Sequence, residues 1–326
     1  MDVTTKYMGL ELKSPIIVSS SGITRKVENI KKCAEAGAGA VVLKSLYEEQ
    51  ILADKDRLNR QDDMYFWYQE AIDFVDSFSK EDGVNNYLQL VKDAKQSVDI
   101  PVIASVNCTT PREWPAFARE IEAAGADGLE LNILIPSVNY NTNSQKIEDT
   151  YLNIIENVLK EVNIPVAVKM GYFFTNLGQM ILKLSNSGIK GLVLFNRFFR
   201  PDIDVENTRL TADNIYSAPE EITLALRWVS LISGKAGCDI AGATGIHTPE
   251  GAIKHLLSGA SAVQVCSTLY KNGIKYIQTM NKEIEQWMEK KNYSSIEDFK
   301  GKITKDQDNS IAFERVHFMR RTTLNY

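Results

Sequence analysis

The chain of 326 residues is 44% hydrophobic and 24% charged, enough apolar material for a full core, which excludes an intrinsically disordered chain or a small disulfide-stapled scaffold. Its 37 basic and 42 acidic side chains leave a net charge of −5, a balance that gives no argument for a nucleic-acid partner. Cys33, Cys108, Cys238 and Cys266 form no CxxC pair, and His247, His255 and His317 include no pair at ligand spacing, so no metal centre is expected.

In chain order, the first fifteen residues carry no apolar run of signal-peptide length, and no later run approaches the ~20 residues of a membrane span. The expectation is a soluble, cytoplasmic protein. Short apolar runs then recur at Pro15–Ser19, Ala40–Lys44, Val102–Val106, Gly128–Ile133, Val166–Met170, Gly191–Phe195, Cys238–Ala241 and Ala262–Val265. A segment of helical periodicity follows each. Eight such runs predict an α/β chain folded as a single (β/α)8, or TIM, barrel over residues 1–326. A doubly wound open sheet has the same local pattern; the count of eight and the lack of a dinucleotide fingerprint after the first strand favour the barrel.

The punctuation between elements agrees. Ala36-Gly37-Ala38, Ala124-Gly125-Ala126, Asn186-Ser187-Gly188 and Ser258-Gly259-Ala260 place a glycine where a helix closes in the left-handed conformation and a strand follows. Thr110-Pro111-Arg112-Glu113, Ser217-Ala218-Pro219-Glu220 and Thr248-Pro249 read as helix starts, with the hydroxyl residue as N-cap. Two insertions interrupt the pattern. One follows strand two, at 46–80, with the aromatic cluster Met64-Tyr65-Phe66-Trp67-Tyr68; the other follows strand six, at 197–217, with Arg200-Pro201-Asp202-Ile203-Asp204. Both belong to the face where barrel enzymes keep their sites, as a lid, a dimer surface or a simple cap.

The last two βα units carry the strongest chemical signal. Ala241-Gly242-Ala243-Thr244-Gly245-Ile246 follows strand seven and Val265-Cys266-Ser267-Thr268 follows strand eight, where exposed backbone N–H groups form the usual phosphate site of a barrel. Lys44 and Lys169 end strands two and five. An ammonium there stabilises negative charge on a reduced flavin near N1 and C2=O; snorkelling to solvent, or Schiff-base chemistry on Lys169, are the other readings. Asn107, Asn132 and Asn196 sit at the ends of strands three, four and six, and an amide suits a ring of alternating carbonyl and N–H groups.

The set Pro15…Ser20-Ser21-Gly22, Leu43-Lys44-Ser45, Glu130-Leu131-Asn132…Pro136, Val168-Lys169 and Gly242…Gly245-Ile246 resembles dihydroorotate dehydrogenase and its relatives, over about residues 5 to 300. Those proteins are FMN-dependent barrels that oxidise dihydroorotate to orotate in pyrimidine synthesis, and this chain is more similar to their soluble class. The resemblance implies a homodimer and a small-molecule substrate. It implies that Ser20, Ser21 and Gly22 approach the flavin from strand one, that Lys44, Ser45, Asn107 and Lys169 face its ring, and that Gly245, Ile246, Cys266 and Ser267 bind its phosphate. Asn132 and Asn196 would hold the substrate.

The departures lie on the substrate side. Where the family reads Asn, apolar, Ser, Cys or Ser, Pro, Asn, this chain reads Asn132-Ile133-Leu134-Ile135-Pro136-Ser137, so Ile135 stands in the place of the base. Ser137, Cys108 and Tyr140 are the candidate replacements, with Ser137 preferred. The family's Asn-Ser after strand six is Asn196-Arg197, and Arg197 is a candidate reader of a substrate carboxylate. Two further readings stand beside dihydroorotate oxidation: an FMN oxidoreductase for a different planar cyclic substrate, and a non-catalytic flavin-binding protein. The electron acceptor is not legible.

Overall fold

The computed structural model describes residues 1–48, 83–109, 114–135, 141–198, 201–211, 215–304 and Met319. The side chains of Cys108 and Trp114 fall outside that description, as do the aromatic cluster at 64–68, the Thr110–Glu113 cap, Arg200, Ser137 and Tyr140.

The chain opens with an antiparallel hairpin of β1 (Thr5–Tyr7) and β2 (Leu10–Leu12), and then enters the barrel. β3 (Ile16–Val18), β4 (Ala40–Val42), β6 (Val102–Cys108), β7 (Gly128–Ile133), β8 (Val166–Met170), β9 (Gly191–Leu194), β12 (Asp239–Ala243) and β13 (Ala262–Val265) run parallel. Pairing of β13 with β3 and of β4 with β6 closes the ring. The short β5 (Leu46–Tyr47) extends the second unit along β6. All eight expected runs are therefore barrel strands, the third and the seventh each reaching two residues beyond the expected end. The insertion after the sixth barrel strand holds a small hairpin of β10 (Asp202–Asp204) and β11 (Arg209–Thr211).

These strands are apolar because both of their faces are covered. Their outward side chains join the surrounding helices in one large core that includes Ile30, Val91, Ile121, Ile155, Ile181, Val229 and Leu256. Their inward side chains are mostly small: Ala40, Ala167, Ala241 and Ala262, with Ile17, Val42, Ile103 and Val193 between them. Tyr7, Met8 and Leu12 of the opening hairpin complete this inner cluster from the N-terminal end of the barrel. A Cβ on Gly191 would stand 2.7 Å from Met8 Cγ and 2.8 Å from Tyr7 Oη, so a barrel position without a side chain makes room for the plug.

Gly37, Gly125, Gly188 and Gly259 all have positive φ, between 85 and 98°, at the four helix ends where the sequence places them. Thr248 caps its helix as expected, its side chain accepting from Gly251 N at 3.3 Å, with Pro249 in the first turn. Ser217 is a correction. The N-cap is Ala218, whose N–H is taken at 2.8 Å by the Glu221 carboxylate, and this leaves the Ser217 hydroxyl free for a different task. No helix among the described residues is long and apolar enough to cross a membrane.

Candidate active site

Residues in register on parallel strands present their side chains on one face, and in β6, β7 and β8 the register aligns the polar residues. Asn107 pairs with Asn132 and Asn132 with Lys169, while one layer deeper Ser105 pairs with Glu130. Alternation along β7 carries Glu130 and Asn132 to the same face. The three expected residues Asn107, Asn132 and Lys169 thus form one polar tier at the C-terminal mouth of the barrel, above the apolar inner cluster.

Lys169, 9% exposed, donates from Nζ to Ser19 Oγ and Gln264 Oε1, each at 3.0 Å. An ammonium carries three N–H donors, so one remains beyond these two. Ser19 Oγ also donates to Gln264 Oε1 at 3.1 Å, and Gln264 Nε2 in turn donates to Glu130 Oε2. Asn196, just past β9, donates from Nδ2 to Asn132 Oδ1 at 2.7 Å, which joins the two residues expected to hold substrate. Lys44 is half-buried beyond the end of β4, its ammonium 5.1 Å from the centroid of the Tyr47 ring.

The serines of the first two units stitch the rim. Ser20 Oγ accepts from Ser45 N at 2.8 Å and lies 3.0 Å from Ser45 Oγ, which lies 2.8 Å from Ser105 Oγ. Ser21 caps the short 3-10 helix Gly22–Arg25, accepting from Ile23 N at 3.3 Å. Gly22 lies close under Tyr270, whose Oη would be 2.8 Å from a Cβ there.

The loops after β12 and β13 meet as expected. Thr244 and Gly245 both have positive φ, 73 and 76°, and a Cβ on Gly245 would fall 2.1 Å from the backbone nitrogen of Ile222, so only glycine fits this turn. The backbone N–H groups of Gly245, Ile246 and Ser267 have no hydrogen-bond partner among the described residues. Polar side chains tie the two loops to each other and to the segment around Ser217. Thr268 Oγ1 donates to His247 O at 3.1 Å, Ser267 Oγ accepts from Ser217 N at 3.0 Å, and Lys271 Nζ donates to Ser217 O at 3.1 Å. Ser217 Oγ lies 3.0 Å from His247 Nε2, and burial, followed by the Lys271 charge, lowers the pKa of that imidazole. Burial raises the pKa of the neighbouring Cys266 thiol, and the Lys169 charge draws it back. The arrangement offers orphan donors for an anionic group at one end and an ammonium with amides for a carbonyl-bearing ring at the other.

Arg197, read in the sequence as a candidate for a substrate carboxylate, is engaged within the protein by Glu221 and Ile215. Its Nε donates to Glu221 Oε2 at 3.1 Å, its Nη2 to Glu221 Oε1 at 3.3 Å and its Nη1 to Ile215 O at 3.2 Å. With Glu221 only 7% exposed, the guanidinium buttresses the loop that carries Ser217. Gln264, Ser19 and Glu130 were missed in the sequence, although a period of two from Asn132 points back to Glu130.

A family model for dihydroorotate dehydrogenase matches residues 2–288. Among similar proteins, the dihydroorotate dehydrogenase B (NAD(+)) catalytic subunit of Thermoplasma volcanium is 26% identical over 309 residues, covering 92% of this chain and 98% of that protein. The subunit of the same name from Thermococcus kodakarensis is 28% identical over 306 residues, covering 90% and 95%. A third, from Methanocaldococcus jannaschii, is 25% identical over 295 residues, covering 88% and 94%. With the match running from the plugging hairpin through all eight barrel strands, the chain belongs to the dihydroorotate dehydrogenase family, and with that family to the oxidoreductases that act on a CH–CH group.

Proposed function

We propose that this protein is an FMN-dependent dehydrogenase that takes hydrogen from the CH–CH bond of dihydroorotate. The observation that carries the reading is the Lys169 ammonium, buried at the barrel mouth with two of its three donors held by Ser19 and Gln264. The residues present fit FMN at both ends. The orphan N–H groups of Gly245, Ile246 and Ser267, with Cys266 beside them, suit its phosphate. Lys169, Asn107, Lys44 and the Ser20–Ser45 pair suit the carbonyls and ring nitrogens of its flat end, and Ser21 and Gly22 suit its edge.

FMN, when bound, supplies an acceptor for hydride. The chain's own residues supply the rest. Lys169 places positive charge where negative charge builds up, in a site with little water to screen it. Asn132 and Asn196, joined at 2.7 Å, present their remaining amide donors and acceptors to the substrate ring. Ile135, half-buried after β7, has no group that takes a proton, and we assign that task to Ser137. A positioned base is worth about 10²–10⁴-fold in rate. The rest of the proposal is a single barrel domain, a cytoplasmic homodimer, and a second subunit as electron partner, since the similar proteins are named as NAD(+)-linked catalytic subunits.

Anaerobic absorbance of the purified, FMN-loaded protein tests this. Dihydroorotate should bleach the flavin band, and Ser137→Ala should slow the bleaching at least tenfold. A flavin that dithionite bleaches but dihydroorotate does not would point to a different planar cyclic substrate. Ile135 and the internally paired Arg197 are the observations that favour that second reading. A flavin that no candidate substrate bleaches would leave a flavin-binding protein without this activity.

A further inference from the structure

Glu130 is 1% exposed, in register with the buried Ser105 and close to an apolar inner cluster. Its Oε2 accepts from Gln264 Nε2, while its Oε1 has no hydrogen-bond partner among the described residues. A buried carboxylate so incompletely satisfied is strongly unfavourable unless a positive charge offsets it. Lys169 supplies that charge: burial raises the Glu130 pKa, and the Lys169 ammonium acts against that rise, as does the Gln264 hydrogen bond.

The link between the two is chemically directional. A carboxylate only accepts and an ammonium only donates, so an amide between them has one orientation, N–H toward Glu130 and C=O toward Lys169. Gln264 takes that orientation, and Ser19 Oγ reinforces it by donating to the same Oε1 at 3.1 Å. The neighbouring strands β8 and β7 thereby contribute the cation and the anion, and the distant β13 contributes the relay between them.

We propose that Glu130 is the buried counter-charge of Lys169, coupled to it through the Gln264 amide, and that the pair rather than the lysine alone sets the potential at the barrel mouth. This rests on the flavin seat proposed above. Glu130 touches no reacting atom. It acts through Lys169 and tempers how strongly the mouth stabilises negative charge on the ring above it.

Glu130→Gln keeps the shape and can still accept from Gln264, so it removes the charge with little else. Equilibration of FMN-loaded protein against a redox dye should show the variant's flavin at least threefold further toward its reduced form than wild type, with Lys169→Met shifted the opposite way. A merely structural role for Glu130 predicts no such shift, and an unchanged or reversed ratio in Glu130→Gln would overturn the proposal. A second measurement needs no flavin and does not depend on Glu130→Gln folding. In flavin-free Lys169→Met, Glu130 should take up a proton, visible in the infrared as a buried carboxylic-acid carbonyl band absent from wild type. Absence of that band overturns the coupling. A protein that holds no FMN would sink the flavin seat instead, and the infrared result would still decide the pair.

Discussion

At the scale of single residues, His255 shows how a buried group writes a pH dependence into the whole fold. It has no exposed surface, and neither ring nitrogen has a hydrogen-bond partner among the described residues. Burial lowers its pKa from 6.5 to about 4. The unfolded chain therefore takes up the proton first, so this contribution to stability is complete above pH 6.5 and drains away as pH falls toward 4. Lowering the pH from 7 to 5 should remove about 2 kcal/mol, measured as a shift in the urea midpoint, and His255→Leu should flatten that part of the profile. A profile that keeps its slope in the variant would assign the effect to another group. The same ring closes off Gly242, where a Cβ would stand 2.4 Å from Nδ1, and Gly242→Ala should lose about 1–3 kcal/mol through overpacking.

Elements show where local signals suffice and where they fail. Helix ends were legible because a glycine past the last turn answers a local backbone requirement, and positive φ at Gly37, Gly125, Gly188 and Gly259 answers it. The Thr248 cap was legible for the same reason, and Thr248→Ala should cost about 1 kcal/mol in thermal or urea unfolding. The Ser217 cap was misread because Glu221 reaches back to Ala218 N, a choice settled by Arg197 holding that carboxylate in place. The opening hairpin offers a coupled test. Gly191→Ala should destabilise by about 1–3 kcal/mol because its Cβ meets Met8 and Tyr7. Met8 itself sits at φ 58°, so Met8→Gly both relieves strain and vacates the space. The double variant should then be more stable than the sum of the singles, which a double-mutant cycle measures directly.

For the whole molecule, the eight strands could be read from sequence because strands covered on both faces are apolar runs, and each run is a local fact. Single site residues such as Lys169 and Asn132 were legible as polar interruptions at strand ends. Their partnership was not. Lys169 meets Gln264 and Ser19 across 95 and 150 positions of chain, and Gln264 meets Glu130 across 134, contacts that exist only once the barrel is closed. The base position has no local signal at all once Ile135 stands there. Global stability should also report the proposed cofactor: free FMN at about 100 times its dissociation constant should add about 2.7 kcal/mol to unfolding, read from the denaturation midpoint. No change in the midpoint would argue against the seat, whatever the catalytic assay gives.

The hairpin plug has a consequence for how the chain is made. Thr5 Oγ1 donates to Ser261 O and Met8 N donates to Asp239 Oδ2, partners 256 and 231 positions later. During synthesis residues 5–12 leave the ribosome before the strands they seal exist, and they wait without those partners for most of the translation time. The floor of the barrel can therefore be completed only once residues 239–261 have emerged, long after the hairpin itself. A ribosome stalled before β12 would hold a nascent chain whose Glu130 layer is still open to water from below, and limited proteolysis of such stalled chains should cut near Met8 until residues 239–261 have emerged.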